Sequence, residues 1–96
     1  MSYLYVIASS ENGPVKLGLS IHPEKRVKQL QTGSVETYHL YHKEPVEVSC
    51  LKKAEKALHR MLSHKRMRGE WFNLTVIDAI DEVKFIRMSE DISPIF

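Results

Sequence analysis

Tyr3-Leu4-Tyr5-Val6-Ile7-Ala8 opens the chain as an almost unbroken apolar run, rich in aromatic and β-branched side chains. It predicts a strand over residues 3–9, with Tyr3, Tyr5 and Ile7 on one face and Leu4, Val6 and Ala8 on the other. Asn12-Gly13 is a strong hairpin signal, and Val15–Ser20 reads as the returning strand. Its Val15, Leu17 and Leu19 oppose Lys16, Gly18 and Ser20. Pro23 suits the first position of a helix, with Ser20 or His22 as its cap and Gly33 as its stop. Residues 36–42 (ETYHLYH) predict a third strand, although both of its faces carry polar groups. From about Val46 to Ser63 apolar residues recur at Val48, Leu51, Ala54, Leu58 and Met61-Leu62, close to the helical period. "GEWFN", residues 69–73, reads as a short apolar turn or strand. Thr75-x-x-Asp78 resembles a capping box that opens a last helix with the stripe Val76, Ile80, Val83 and Ile86. Residues 89–96 form a tail. The expected fold class is α+β: a small antiparallel three-stranded sheet flanked by helices, in the order β-β-α-β-α-α, with room for one further short strand.

Ninety-six residues, 43% hydrophobic and 27% charged, describe a single ordinary globular domain over residues 1–96. The lone Cys50 excludes an internal disulfide framework and suits a reducing compartment. With no secretory or spanning segment to be read, the expectation is a cytoplasmic protein and no membrane partner. Charge changes the picture more. The net +2 conceals a basic stretch, residues 1–69, with 12 Lys/Arg against 6 Asp/Glu. Residues 70–96 carry 2 against 6. The run Lys52–Arg68 holds 7 cations against Glu55 alone. A polyanion would find such a face attractive through counterion release. A solvated helix face is an equally good account of the charge alone.

Three side chains break the apolar pattern. Gly18 beside Lys16 either lets a group approach the backbone closely or is simply a glycine near a turn. Arg26 flanks Val27 and Leu30 at the border of the first helix's buried side. Its head is there for a carboxylate, for a phosphate, or only to reach water above a packed stem. Glu55 stands on the rim of the second helix's stripe with His59 one turn further along. The pair is either a ligand set, for which one carboxylate suits Mg²⁺ better than zinc, or part of a plain surface Glu–Lys arrangement.

Taken in order, these residues resemble the GIY-YIG nuclease superfamily. The likeness is greatest to its compact phage- and bacterium-type branch, the T5 Orf172-like and meiotically up-regulated-gene-like DNA-binding domains. "YLY" (3–5) and "KLG" (16–18) hold the places of the two name-giving motifs across a hairpin. Arg26 follows Gly18 by eight residues, the family's spacing for its helical arginine. "AEKALH" places Glu55 and His59 on the next long helix, and "RGEWFN" (68–73) matches the branch's "gEWF" block, with Asn73 at the late asparagine. The likeness covers about residues 3–85. Tyr3-Leu4 replaces the usual Gly-Ile, Lys16 replaces the second motif's tyrosine, and Leu19 stands where many relatives have lysine, histidine or serine.

The resemblance implies a metal-dependent DNA endonuclease that hydrolyses phosphodiester bonds, with DNA as partner and no obligatory small-molecule cofactor. Its catalytic set would be Tyr5, Lys16, Arg26, Glu55, His59 and Asn73. Glu55 would hold Mg²⁺ or Mn²⁺. Arg26, helped by Lys16, would stabilise charge growing on phosphorus. Tyr5 would orient or deprotonate the attacking water; acting as a base requires Lys16 or Arg26 to lower its pKa. His59 would contact phosphate or support Glu55, and Asn73 would orient Glu55 or the phosphate, or merely cap the last helix. Trp71 and Phe72 are expected in the core rather than stacked on bases. Phosphate contacts are expected from Lys16, Lys25, Arg26, Lys28, Lys52, Lys56, Arg60, Lys65, Arg66 and Arg68. The alternative is a catalytically weak or inactive DNA-binding module of the same fold.

Overall fold

A computed structural model describes residues 2–47 and 51–88. The first strand, β1 (Ser2–Ala8), pairs antiparallel with β2 (Val15–Ser20), Tyr5 opposite Gly18 and Val6 opposite Leu17. On its other side β1 pairs antiparallel with β3 (His39–Val46), with an irregularity between Val6 and Ile7. With neighbours on both sides and helices over both faces, β1 is buried throughout except for half-buried Tyr3. That double coverage is why its sequence is nearly continuous in apolar residues rather than alternating.

The sheet has five strands, not the expected three, in the order β3-β1-β2-β5-β4. The additions are β4 (Arg66–Arg68) and β5 (Trp71–Phe72). They form a tight hairpin whose two-residue turn is Gly69-Glu70, with Gly69 at φ +57°. Val15 and Lys16 of β2 pair with Phe72 and Trp71. Strands of three and two residues are too short to show a period, which is why the sequence reads them as a basic run and an apolar turn. The third strand also runs later than expected: Val46 closes β3 instead of opening a helix. Its Pro45 is compatible with this edge position, where a missing N–H leaves no ladder bond unmade.

Helix α1 (Pro23–Gln31) begins with its proline as expected, but His22 at the cap position makes no side-chain capping bond. Instead the His22 N–H donates to Ser20 Oγ at 3.0 Å. Helix α2 (Leu51–Met61) is followed by a 3-10 turn (Ser63–Lys65), and the expected start of its stripe at Val48 lies outside the described residues. Helix α3 (Val76–Met88) is capped by Thr75, whose Oγ1 accepts the Asp78 N–H at 3.2 Å. The tail 89–96 also lies outside the described residues.

Helices cover both faces of the sheet. On one face Leu4, Val6, Ala8, Val15 and Leu17 join Ala54, Ala57 and Leu58 of α2, and Val76, Ala79, Val83 and Ile86 of α3, in the main core. On the other, α1 lies across β1, β2 and β3, with Pro23 fully buried and Val27 and Leu30 half-buried. Glu24 of α1 reaches Lys43 of β3 at 2.9 Å. Lys43 stands opposite Tyr5, so this ion pair marks the face that Tyr5 shares with α1. No helix is long and apolar enough to cross a membrane among the described residues.

Candidate active site at the open edge of β2

The site begins with a glycine. Tyr5 and Gly18 are direct cross-strand partners, so the Tyr5 ring lies over a position with no side chain. A β-carbon at Gly18 would stand 2.5 Å from the Tyr5 hydroxyl, 2.8 Å from its Cζ and 3.0 Å from Glu70 Oε1. The group that approaches Gly18 closely is therefore the chain's own tyrosine.

The Tyr5 hydroxyl donates to Glu70 Oε1 at 3.1 Å. The same oxygen lies 3.3 Å from Lys16 Nζ, with Glu70 about half exposed and Lys16 mostly covered. Lys16 also stands 5.6 Å from the centroid of Trp71, which is tilted against Tyr38 at 6.0 Å. Lys16 is thus tied to Glu70 and Trp71. Burial pushes the Tyr5 phenol well above its ordinary value of 10.0; the charge of Glu70 and its hydrogen bond add to this, and only Arg26 opposes them. The net shift is opposite to the one that action as a base would require, although Arg26 does pull in that direction. A fully buried phenol that donates to a carboxylate is held in its neutral form.

Arg26 is exposed on α1, its Nη1 3.5 Å from Gln29 Oε1. It lines a shallow depression with Leu19, Ser20, His22 and Lys25. Its helix packs against β1, β2 and β3. From the opposite face Glu55, Leu58 and His59 of α2 meet Leu17, Gly18, Leu19, Glu70 and Phe72 around a cavity of about 120 Å³. Leu19 lines both depressions. β5 pairs with Val15 and Lys16 of β2, whereas Leu19 and Ser20 further along the strand are half-buried.

Of the six expected catalytic residues, Tyr5 and Lys16 meet at Glu70, Glu55 and His59 line the cavity that Glu70 and Gly18-Leu19 also line, and Arg26 lines the neighbouring depression. Asn73 follows Phe72 at the end of β5; its N–H donates to the Lys65 carbonyl at 2.7 Å, and Thr75 rather than Asn73 caps α3. Phe72 is buried in the main core as expected, whereas Trp71 is half-buried on the Lys16 face. Lys52, Glu55, Lys56, His59 and Arg60 line an open groove along α2. Lys25 flanks the opposite side of the site, Lys28 is exposed further along α1, and Lys65, Arg66 and Arg68 are exposed on the last hairpin. Arg66 Nε donates to the Gly69 carbonyl at 2.7 Å, which braces the turn.

Sequence reasoning missed Glu70. The usable signal was local: Gly69-Glu70 between "RMR" and "WF" has the form of a two-residue hairpin turn, which would have put a carboxylate at a strand tip.

Fold and site together define a small α+β domain that presents a polar cluster at an open strand edge, with basic helices on either side. The family model of the T5orf172 domain matches residues 2–87, and the chain belongs to that family. It is thereby a nuclease-like or DNA-binding module. None of the curated proteins and none of the solved structures gives a significant match.

Proposed function

We propose that the chain is a GIY-YIG-like domain that hydrolyses DNA phosphodiester bonds with the help of a divalent cation. The observation that carries this reading is that Glu70, bonded to Tyr5, shares a cavity with Glu55 and His59 beside Gly18-Leu19, with Arg26 in the depression that Leu19 also lines. Cationic side chains on both flanks would track the phosphate backbone.

The donor set suits magnesium in particular. Among the described residues, no group of three or more His, Cys, Asp or Glu side chains is drawn together into a metal cage. Glu55 is an exposed carboxylate beside a small cavity, and Mg²⁺ commonly binds through one or two carboxylates while keeping several waters. Glu55 would hold the ion, which when bound would polarise a phosphate oxygen and stabilise the departing oxygen. Arg26, with its head in solvent at the lip of the site, would bind a non-bridging oxygen and offset the charge that grows on it. The Tyr5 hydroxyl is buried and bonded to Glu70, so its part would be to hold that carboxylate beside the cavity. His59, one turn from Glu55, would contact the same phosphate or its neighbour.

The test is Mg²⁺-dependent nicking of supercoiled plasmid by the wild type and by Glu55→Gln, which keeps shape and removes the charge. Loss of nicking in the variant, with binding retained, is the expected result; unchanged nicking would reject the mechanism. DNA binding without turnover is the second reading. It is favoured by Leu19, an aliphatic side chain between the two depressions, and by a Lys16 tied to Glu70. Salt-sensitive binding with no cleavage under any divalent metal would select it.

A further inference from the structure

Trp71 is placed where neither the core nor the candidate site explains it. Phe72 beside it is buried in the main core, whereas Trp71 is half-buried on the other face of the sheet. Its cross-strand partners are Lys16 in β2 and the exposed Arg68 in β4. Lys16 Nζ stands 5.6 Å from the indole centroid, and Tyr38 leans against the same ring at 6.0 Å with its plane tilted by 45°. Tyr38 is also half-buried, and its backbone is pinned from the end of α1. Gln31 Oε1 accepts the Tyr38 N–H at 2.8 Å, while Gln31 Nε2 donates to the Glu36 carbonyl at 2.6 Å. Two large rings are thus held in place with part of their surface in solvent.

An aromatic side chain that served only the fold would gain most from full burial among apolar neighbours. This one is flanked by two cations, with Glu70 as the carboxylate paired to one of them. Exposed rings beside cationic groups are what a single nucleic-acid strand needs, since the rings stack on bases while the cations meet phosphates. A duplex offers no such contact, because each base face is already covered by its neighbours in the stack. A ring can stack only on a base that is unpaired or turned out.

We propose that Trp71 and Tyr38 form a stacking platform for unpaired nucleotides of DNA, with Arg68 meeting the phosphates beside them. The inference rests on the DNA partner of the reading above but not on cleavage, and it narrows that partner to DNA with a single-stranded portion. Lys16 links the platform to the candidate site, since it meets both Trp71 and Glu70.

Trp71 is the one tryptophan of the chain, so its selectively excited emission reports on this ring alone. The probes are an oligonucleotide of about 12 thymidines and the same strand paired with its complement, both without added metal. The single strand at saturation should quench Trp71 emission, and the duplex should quench it less. Tyr38→Ala and Trp71→Leu should weaken single-strand binding roughly 5- to 150-fold, read by anisotropy of a labelled strand, and leave duplex affinity nearly unchanged. Trp71→Phe, which keeps a ring, should retain most of the affinity. Thermal melts establish that each variant is folded, and the quenching measurement needs only the wild type. Single-strand binding that leaves Trp71 emission unaltered overturns the platform alone. So does an equal loss of both affinities in Tyr38→Ala. Binding of neither probe at low salt overturns the DNA partner and the platform together.

Discussion

Gly18→Ala is the sharpest perturbation of this site because its sign is decided by one neighbour. Gly18 does not lie in the left-handed region, and at an unobstructed strand position alanine is favoured over glycine by roughly 0.5–1 kcal/mol through backbone entropy. Here the added methyl carbon would meet the Tyr5 hydroxyl at 2.5 Å and its Cζ at 2.8 Å. Tyr5 is fully buried between neighbouring strands and α1, so its ring has little room to withdraw. Forcing a methyl group into a packed site of this kind costs about 1–3 kcal/mol. The expected net effect is a loss of about 1–2 kcal/mol, a fall in Tm of roughly 4–16 °C for a domain of this size.

A double-mutant cycle isolates the cause. Tyr5→Phe removes the atom that the new methyl carbon would meet first, at the loss of one hydrogen bond worth about 0.5–1.5 kcal/mol. In that background Gly18→Ala should cost less by about 1 kcal/mol, read from urea unfolding followed by circular dichroism. Additivity within about 0.5 kcal/mol, or a Gly18→Ala protein more stable than wild type, would refute the claim that the hydroxyl fills the space of the missing side chain.

Three further outcomes follow from the same structure. Leu4→Ala opens a cavity under α2 and α3 beneath a fully buried side chain; a loss of about 2–5 kcal/mol is expected in denaturant unfolding, and a loss below about 1 would contradict the described core. Because folding raises the Tyr5 pKa above 10.0, the fold favours the neutral phenol. That contribution is complete below pH 10 and is lost as pH rises above it, so wild type should lose Tm between about pH 9.5 and 11 more steeply than Tyr5→Phe. Finally, Lys52→Gln/Lys56→Gln should lower the slope of log affinity against log salt for duplex DNA by about 2, measured by fluorescence anisotropy. An unaltered slope would remove α2 from the DNA-facing surface.

The parts of this fold that are legible in the sequence are those with a local signal. β2 lies at Val15–Ser20 because its alternation is clean, α1 starts at Pro23 because the proline has few other places to go, and α3 starts after Thr75 because that hydroxyl caps it. The spacing of Gly18, Arg26 and Glu55 is legible for the same reason: each is a departure from an otherwise regular pattern. What the pattern hides are the pairings. Residues 66–72 carry too few positions to reveal two strands, and β3 looks polar on both faces because it is an edge strand. Glu70 is invisible as a site residue because its meaning lies in a hydrogen bond to Tyr5, 65 residues earlier. The direction of the Tyr5 shift is hidden for a related reason: charge partners can be guessed from a sequence, whereas burial of a phenol on the minor face of a sheet cannot.

The open edge itself has a cause in the last hairpin. Past the Lys16–Trp71 pair the ladder makes one more bond, from the Leu17 N–H to the Glu70 carbonyl at 3.0 Å, and there it stops. Gly69 at φ +57° turns the chain back along β4, with open space where its side chain would be. Had β5 extended further antiparallel to β2, it would have paired along Gly18 and Leu19. The same reversal puts Glu70 at the tip, from which its carboxylate reaches Tyr5 and Lys16. One left-handed glycine therefore does two things that a longer strand would forbid: it ends the β2–β5 ladder beside Lys16, and it brings the Glu70 carboxylate to the buried Tyr5 hydroxyl.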